Sequence, residues 1–371
     1  MRIKSLALRD FRNYKQLDVN FADSFNVIYG NNAQGKTNII EAIFLCASGR
    51  SHRTSRDDEL IRNEALGFDV KLQLSKNESD EELHITFNKE DRKKIRVNEV
   101  PIRKLGDLMG HLNAVIFSPE DLLIIKQGPA ERRRFIDITL SQLRPSYFYD
   151  LQQYAKILFQ RNCLLKKIMV QKDIEDTLEI WNRHLVKTGS RIMRARINFI
   201  NQIDTFAASR HEKLTNNDER LKLNYIPSFE FDYKSDDIDI EQEFNKMLSR
   251  CKSKEIMRGT TLLGPHRDDL DIILNEESTK IYGSQGQQRT AVLSMKLAEI
   301  DLMKEESGEY PVLLLDDVLS ELDDRRKEYL LDSIRGVQAF ITCTDKRIFN
   351  RNLADTKFLY IVNGSVVEAL R

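Results

Sequence analysis

Long apolar runs are missing from this 371-residue chain. No stretch reaches about 18 apolar residues, so no membrane-spanning helix is expected. Met1 to Asp10 carries Arg2, Lys4 and Arg9 and no apolar core, so no signal peptide is expected either. Cysteine is scarce. Cys46, Cys163, Cys251 and Cys343 lie far apart and form no CxxC pair, which leaves buried, reduced thiols in a cytoplasmic protein as the simplest expectation. A charge imbalance is missing as well, since 58 basic residues meet 58 acidic ones. The charges are nevertheless unevenly spread. Residues 151–200 hold ten Lys or Arg (156, 161, 166, 167, 172, 183, 187, 191, 194, 196) against four acids (173, 175, 176, 179), whereas residues 301–330 hold ten acids against four bases. At about 150 residues per domain, the length predicts two or three compact units.

The most informative stretch is Gly30-Asn31-Asn32-Ala33-Gln34-Gly35-Lys36-Thr37, a G-x-x-x-x-G-K-T pattern. Phe25–Tyr29 before it reads as a short buried strand. Asn38 to Cys46 after it reads as a helix with Ile39, Ile40, Ile43 and Phe44 for packing. Strand, glycine loop and helix are the context of a phosphate-binding loop. Its N–H groups and the helix N-terminus would face phosphate oxygens. Lys36 would reach the β- and γ-phosphates of ATP, and the Thr37 hydroxyl would ligate Mg²⁺. The plain alternative is a glycine-rich turn that ends in Lys-Thr.

In chain order, residues 2–8 and Leu17–Phe21 read as strands around a Phe11-Arg12-Asn13-Tyr14 loop. Gly49–Arg56 is a polar, basic loop that would touch phosphate or stay solvated. Phe68, Val70, Leu72, Leu74, then Leu83, Ile85, Phe87, then Ile95, Val97 alternate, which predicts an antiparallel meander. Leu112–Phe117 is a further strand, broken by Ser118-Pro119-Glu120-Asp121. After Gly128-Pro129 a helical region starts at Ala130 and carries Arg132, Arg133 and Arg134. Trp181, Leu185, Thr188, Ile192, Ala195, Phe199, Ile203 and Phe206 follow at steps of three and four. That stripe predicts the seam of a paired, coiled-coil-like arm of about 45 Å. The basic residues beside it suit either DNA or a solvated helix face. Leu221–Tyr225 reads as a returning strand and Ile240–Met257 as a helix. In Thr260–Asp269, Gly264-Pro265 forces a turn, and His266 and Arg267 are kept as site candidates.

Two further motifs carry chemistry. In Tyr282–Arg289, the group Ser284, Gly286 and Gln287 precedes a helix, which is either a second anion-binding device or an ordinary cap. Val312–Leu315 ends in Asp316-Asp317, a buried strand with acids at its C-terminal tip, where α/β sheets bind ligands. Asp316 would hold Mg²⁺ and Asp317 would orient or deprotonate water. Ser320-Glu321-Leu322-Asp323 follows. Val337–Cys343 is another strand, and two short strands surround Asn363-Gly364.

These motifs, in this order, resemble the ABC-type ATPase heads of the SMC family. Phe11–Tyr14, Gly30–Thr37, Ser118–Asp121, Arg132–Asp137, Gly264–Asp269 and Leu315–Asp323 together are similar to the bacterial RecF family, over nearly the whole chain. The resemblance implies an α/β fold: an ABC-type P-loop ATPase head with an antiparallel β lobe and an inserted helical arm. The head would span 1–128 and 258–371 and the arm 129–257. It also implies an ATP-dependent homodimer, slow DNA-stimulated ATP hydrolysis, and DNA binding at duplexes or junctions. RecR and RecO would be partners in loading RecA at gaps, in replication, repair and the SOS response. Residue by residue, Lys36, Asp316 and Asp317 would be catalytic. Gly30 to Thr37 with Arg12 and Asn13 would hold the nucleotide, and Thr37 with Asp316 the metal. Ser284, Gly286 and Gln287 would act in trans on the partner's nucleotide. Arg53, Arg56, Arg132, Arg133, Arg191 and Arg194 are the DNA candidates. Two features depart from ABC heads: Asp317 stands where Glu is usual, and Thr342 and Thr344 occupy the region of the switch His. The stretch Ser118–Gln127 sits where a Q-loop would be expected, and no single glutamine is assigned to that role. A transporter subunit shares the motifs but not the paired-helix insertion, and the acid pair argues against a scaffold that binds ATP without hydrolysing it. The zinc-hook CxxC of longer SMC relatives is absent.

Overall fold

The computed structural model describes all residues except 78, 170–175, 232–236, 346–354 and 369–371. Residues 172, 173 and 175 of the basic stretch therefore lie outside the described residues. The first half of the chain runs β1 (Arg2–Phe11), β2 (Tyr14–Asn20), β3 (Phe25–Tyr29), α1 (Lys36–Ser48), β4 (Gly67–Lys76), β5 (Ser79–Asn88), β6 (Lys94–Val97), β7 (Val100–Pro101) and β8 (Ala114–Phe117). Helices α2 (Leu123–Lys126), α3 (Pro129–Leu143), α4 (Pro145–Ile168) and α5 (Leu178–Thr215) follow, then β9 (Leu221–Ile226) and α6 (Asp237–Arg258). The chain continues with β10 (Asp269–Leu274), β11 (Glu277–Ser278), α7 (Thr279–Tyr282), α8 (Gln285–Ser307), β12 (Val312–Leu315), α9 (Asp324–Ser333), β13 (Ala339–Cys343), β14 (Thr356–Val362) and β15 (Ser365–Glu368).

Two compact units result, one made of Met1–Asp121 with Lys296–Arg371, the other of Leu122–Met295. The first contains two sheets. An antiparallel sheet has the order β2-β1-β4-β5-β6-β7. Its alternation is that of a half-buried sheet: Phe68, Val70, Leu72 and Leu74 point into the core while their neighbours do not. The second sheet, β15-β14-β3-β13-β12-β8, is parallel apart from the antiparallel β14–β15 hairpin. Its central strands β12 and β13 are buried at every residue, as a strand covered on both faces must be. Gln338, 1 % exposed, accepts from the Ile3 N–H at 2.6 Å and donates to the Ile3 carbonyl at 2.8 Å and to the Ala22 carbonyl at 2.9 Å. That side chain satisfies three main-chain groups which would otherwise be buried unpaired.

The second unit surrounds α5. At 38 residues this helix is about 57 Å long. Leu185, Thr188, Ile192, Phe199 and Ile203 of the expected stripe are buried, but so are Val186, Met193, Arg196, Ile197 and Ile200. The burial is wider than a two-helix seam because α4, α6 and β9 all pack on α5. β9 pairs with β10 from Leu221↔Leu274 to Ile226↔Asp269, in the order β11-β10-β9. This pairing draws residues 258–295 into the helical unit, so the units divide at 121/122 and 295/296, whereas the sequence predicts boundaries at 128/129 and 257/258.

Candidate nucleotide site

Strand β3 delivers the chain to Gly30, whose φ of 149° and position against the Ile361 carbonyl leave no room for a Cβ, which would sit 2.5 Å from that oxygen. Lys36 is buried. Its ammonium donates to the Gly30 carbonyl at 2.8 Å and the Asn31 carbonyl at 2.9 Å, so it lies inside the loop. Asn31, Asn32 and Ala33 are exposed at the rim, and Gln34 and Gly35 return the chain to α1.

Parallel pairing brings the acid pair to this loop. β13 lies between β3 and β12. The Thr37 hydroxyl donates to Asp316 Oδ1 at 2.9 Å across 279 residues of sequence. Thr342, buried on β13, donates its hydroxyl to the same Oδ1 at 2.7 Å and accepts the Asp317 N–H at 2.9 Å. Asp317 is held in the left-handed region at φ 54°, and Ser320 donates to its carbonyl at 2.7 Å. A single threonine thus fixes both acids. Sequence alone marks Thr342 only as an occupant of the switch region, because its partners lie 25 and 26 residues away. Thr37 and Asp316 form a pair of hard oxygen donors. Among the described residues no group of three or more His, Cys, Asp or Glu surrounds a metal position. One carboxylate and one hydroxyl fit Mg²⁺, which keeps waters and takes its other ligands from phosphate. In the following motif, the Asp323 carboxylate caps α9 by accepting the Arg326 N–H at 2.9 Å.

Arg12 and Asn13 lie beside the loop with their side chains engaged by protein. Arg12 donates to Glu41 through two nitrogens, at 2.8 and 2.7 Å, and to the Glu59 carbonyl at 2.8 Å. Glu41 is fully buried on α1 and also accepts from Ser51 at 2.5 Å and pairs with Arg53 at 3.5 Å. Burial alone would raise its carboxyl pKa. The Arg12 and Ser51 hydrogen bonds and the Arg12 and Arg53 charges outweigh burial and hold it below the usual range. No motif marked Glu41, which reads as an ordinary helix residue between apolar neighbours.

In the second unit, Ser284 and Gln287 form a reciprocal cap on α8. The Ser284 hydroxyl accepts the Gln287 N–H at 3.2 Å, and Gln287 Oε1 accepts the Ser284 N–H at 2.8 Å. Ser284 is exposed and Gly286 half-buried. The arginines proposed for DNA separate into two groups. Arg132 is buried, grips Asp269 at 2.6 and 2.8 Å, and donates to the Ile124 and Gln127 carbonyls, so it is withdrawn from the DNA-contact set. Arg133 is half-buried and donates to the Asp268 carbonyl at 2.7 Å. Arg191 is exposed and pairs with Asp150, Arg194 is half-buried, and Arg56 is exposed and pairs with Asp58. His266 is a structural residue. Its Nδ1 meets the Tyr154 hydroxyl at 2.8 Å, and burial lowers its pKa to about 4.

The profile of the RecF/RecN/SMC N terminal domain matches residues 2–364. The DNA replication and repair protein RecF of Acetivibrio thermocellus is 52% identical over 98% of this chain and 99% of its own length. That of Ruminiclostridium cellulolyticum is 50% identical over 99% of both. A solved structure of the recombination mediator protein RecF with ATP, in the RecFOR pathway, has a TM-score of 0.93 and 37% identity, covering 100% of this chain and 98% of that one. An SMC head domain from Pyrococcus furiosus shares the fold, with a TM-score of 0.56 at 16% identity over 99% of this chain and 96% of that one. The sequence expectation of an ABC-type ATPase head is thereby borne out, and the chain belongs to the RecF/RecN/SMC family, within it to the bacterial RecF proteins of DNA replication and repair.

Proposed function

We propose that this chain binds MgATP at Gly30–Thr37, hydrolyses it slowly, and uses it to close a homodimer on DNA. The observation that carries this reading is the 2.9 Å contact between Thr37 and Asp316, which joins the phosphate loop to the acid pair. Lys36 neutralises the β- and γ-phosphates, and Thr37 and Asp316 hold Mg²⁺, which supplies charge neutralisation on the transferring phosphoryl group. Asp317 accepts the proton of the attacking water. Its reach is one methylene shorter than that of a glutamate, which suits slow turnover. Ser284, Gly286 and Gln287 contact the γ-phosphate held by a second copy. Loss of that phosphate removes the bridge, so ATP favours the closed dimer by its differential affinity for it.

DNA contacts fall on exposed basic residues, Arg183, Lys187 and Arg191 on α5 together with Arg53 and Arg56, with the half-buried Arg194 of α5 beside them. Work with RecR and RecO in loading RecA at gaps, in the cytoplasm, is part of the same proposal, supported by the RecFOR pathway in which the solved RecF relative is placed. The test is sedimentation with ATP, ADP or no nucleotide, with and without duplex DNA. A dimer with ATP alone, loosened by ADP and lost in Lys36→Met, is expected. A monomer under every condition, or unchanged ATP affinity in Lys36→Met, overturns the reading. DNA affinity is expected to fall steeply with salt.

A further inference from the structure

A phosphate loop binds anions with its N–H groups, so the carbonyls that Lys36 does not bind, those of Gln34 and Gly35 among them, need partners on the outer side. Here the outer side is occupied by two turns, the one at Arg12-Asn13 and the one at Asn363-Gly364. The Gln34 carbonyl accepts Asn13 Nδ2 at 2.8 Å and the Gly364 N–H at 3.3 Å. Its side-chain Oε1 accepts the Asn363 N–H at 2.6 Å. The Tyr14 hydroxyl, buried, donates to the Gly35 carbonyl at 3.0 Å. Asn13 is itself held, its Oδ1 accepting Asn38 Nδ2 at 2.8 Å. The contacts leave no slack. A Cβ on Gly364 would lie 2.7 Å from the Asn13 carbonyl oxygen, and Gly364 has φ 68°. Asn363 is left-handed too, at φ 46°. Two successive left-handed residues are the Asn-Gly hairpin turn, so the β14–β15 connection presents two consecutive N–H groups to Gln34.

We propose that Asn13, Gln34 and the Asn363-Gly364 turn form a brace that sets ATP affinity by holding the phosphate loop in its N–H-inward form. They are positioning residues: Gln34 and Asn13 act through the loop backbone, with Gln34 Oε1 and both polar side-chain atoms of Asn13 engaged by protein partners. Without the brace the outer carbonyls turn to water, the loop samples other conformations, and ATP must order it on binding, which lowers affinity. The proposal rests on the assignment of Gly30–Thr37 as the ATP site.

The experiment titrates a fluorescent ATP analogue into the full chain and its variants Gln34→Met, Gly364→Ala and the double substitution. Gly308→Ala is the matched control, since Gly308 is also left-handed, at φ 77°, but has open space where its Cβ would go. Each brace variant is expected to raise the dissociation constant about fivefold, the net worth of one hydrogen bond. KM should rise with it, and amide exchange at residues 30–37 should quicken in the absence of nucleotide. The double variant should be no worse than about twice either single, because both break one device. Gly308→Ala should leave affinity within twofold. Unchanged affinity and exchange in Gln34→Met overturn the brace, as does full additivity of the two substitutions. Gln34→Met also decides the matter should Gly364→Ala fail to fold. Lys36→Met separates the two levels: if it leaves affinity unchanged, the ATP site itself is misassigned, whereas if it abolishes binding while the brace variants bind normally, only the brace is lost.

Discussion

The first unit's nucleotide site and the second unit's polar interior are both rich in buried charge, yet they spend it differently. Around Gly30–Thr37, fixed groups hold a loop whose rim residues stay exposed, and at the tip of β12 Asp316 accepts from Thr37 with Asp317 next to it in the chain. In the second unit, each buried charge is matched within the protein. Arg196 binds Asp137, the Tyr147 hydroxyl and the Pro265 carbonyl. Arg161 binds Glu255, Thr261 and Asn182. Asp268, pushed up by burial, accepts from the Tyr225 hydroxyl and the Ser228 N–H. A charged motif in a recognisable sequence is therefore no evidence of chemistry by itself. Gly264–Asp269 and Arg132–Arg134 carry family resemblance as strongly as the phosphate loop does, but the second unit uses Arg132, His266 and Asp268 as internal fastenings.

Substitutions can break or sharpen this contrast. Asp317→Asn should cut turnover by roughly 10²–10⁴ with ATP affinity retained, measured by single-turnover hydrolysis and nucleotide titration. Normal turnover would remove Asp317 from the chemistry. In the second unit, Arg196→Met should destabilise by about 3–5 kcal/mol, because Asp137 loses its partner, and Asp137→Leu added to it should recover much of that loss. Denaturant unfolding reads both, and a selective loss of hydrolysis with normal stability would erase the contrast between the units.

The histidine gives a pH signature. His266 has a pKa of about 4 in the folded chain against 6.5 unfolded. Its contribution is present above pH 6.5 and is lost as pH falls toward 4, reaching about 2 kcal/mol at pH 5. Asp268, with a raised pKa, works in the opposite direction. The difference between wild type and His266→Gln is thus the quantity to follow by thermal unfolding, and parallel curves would refute it. The smallest effect is expected from Thr342→Val, which should slow hydrolysis about tenfold by freeing both acids, while Thr342→Ser keeps the hydroxyl and most of the rate. Equal rates in the valine and serine variants would leave Thr342 as packing.

The phosphate loop, the acid pair and the alternating meander were legible because their signals are local, in contiguous residues or a short period. What stayed hidden depends on sequence-distant partners. Thr342 matters through Asp316 and Asp317, Glu41 through Arg12 and Arg53, and Gln34 through Asn363, 329 residues away. Leu185, Thr188, Ile192, Phe199 and Ile203 of the α5 stripe are buried while Trp181, Ala195 and Phe206 are only partly so, and a one-dimensional period cannot reveal that a β-strand and a further helix cover the flanks. Arg132 looked like a DNA contact because three successive arginines look solvated, and only the fold brings Asp269 to the first of them.

Gln338 fastens β1 to the segment before β13, across 335 residues. This has a consequence for synthesis on the ribosome. The first unit is made from the two outer stretches of the chain, so β3 and the phosphate loop emerge early and wait. The 122–295 unit is contiguous and can fold as it emerges. At about 5–20 residues per second its synthesis alone lasts roughly 10–35 s. Throughout that interval the loop lacks Asp316, Thr342 and the Asn363-Gly364 turn. On the proposed assignment, a nascent chain therefore carries the motif for binding ATP without the acids that would hydrolyse it, and activity would appear only when the final strands dock.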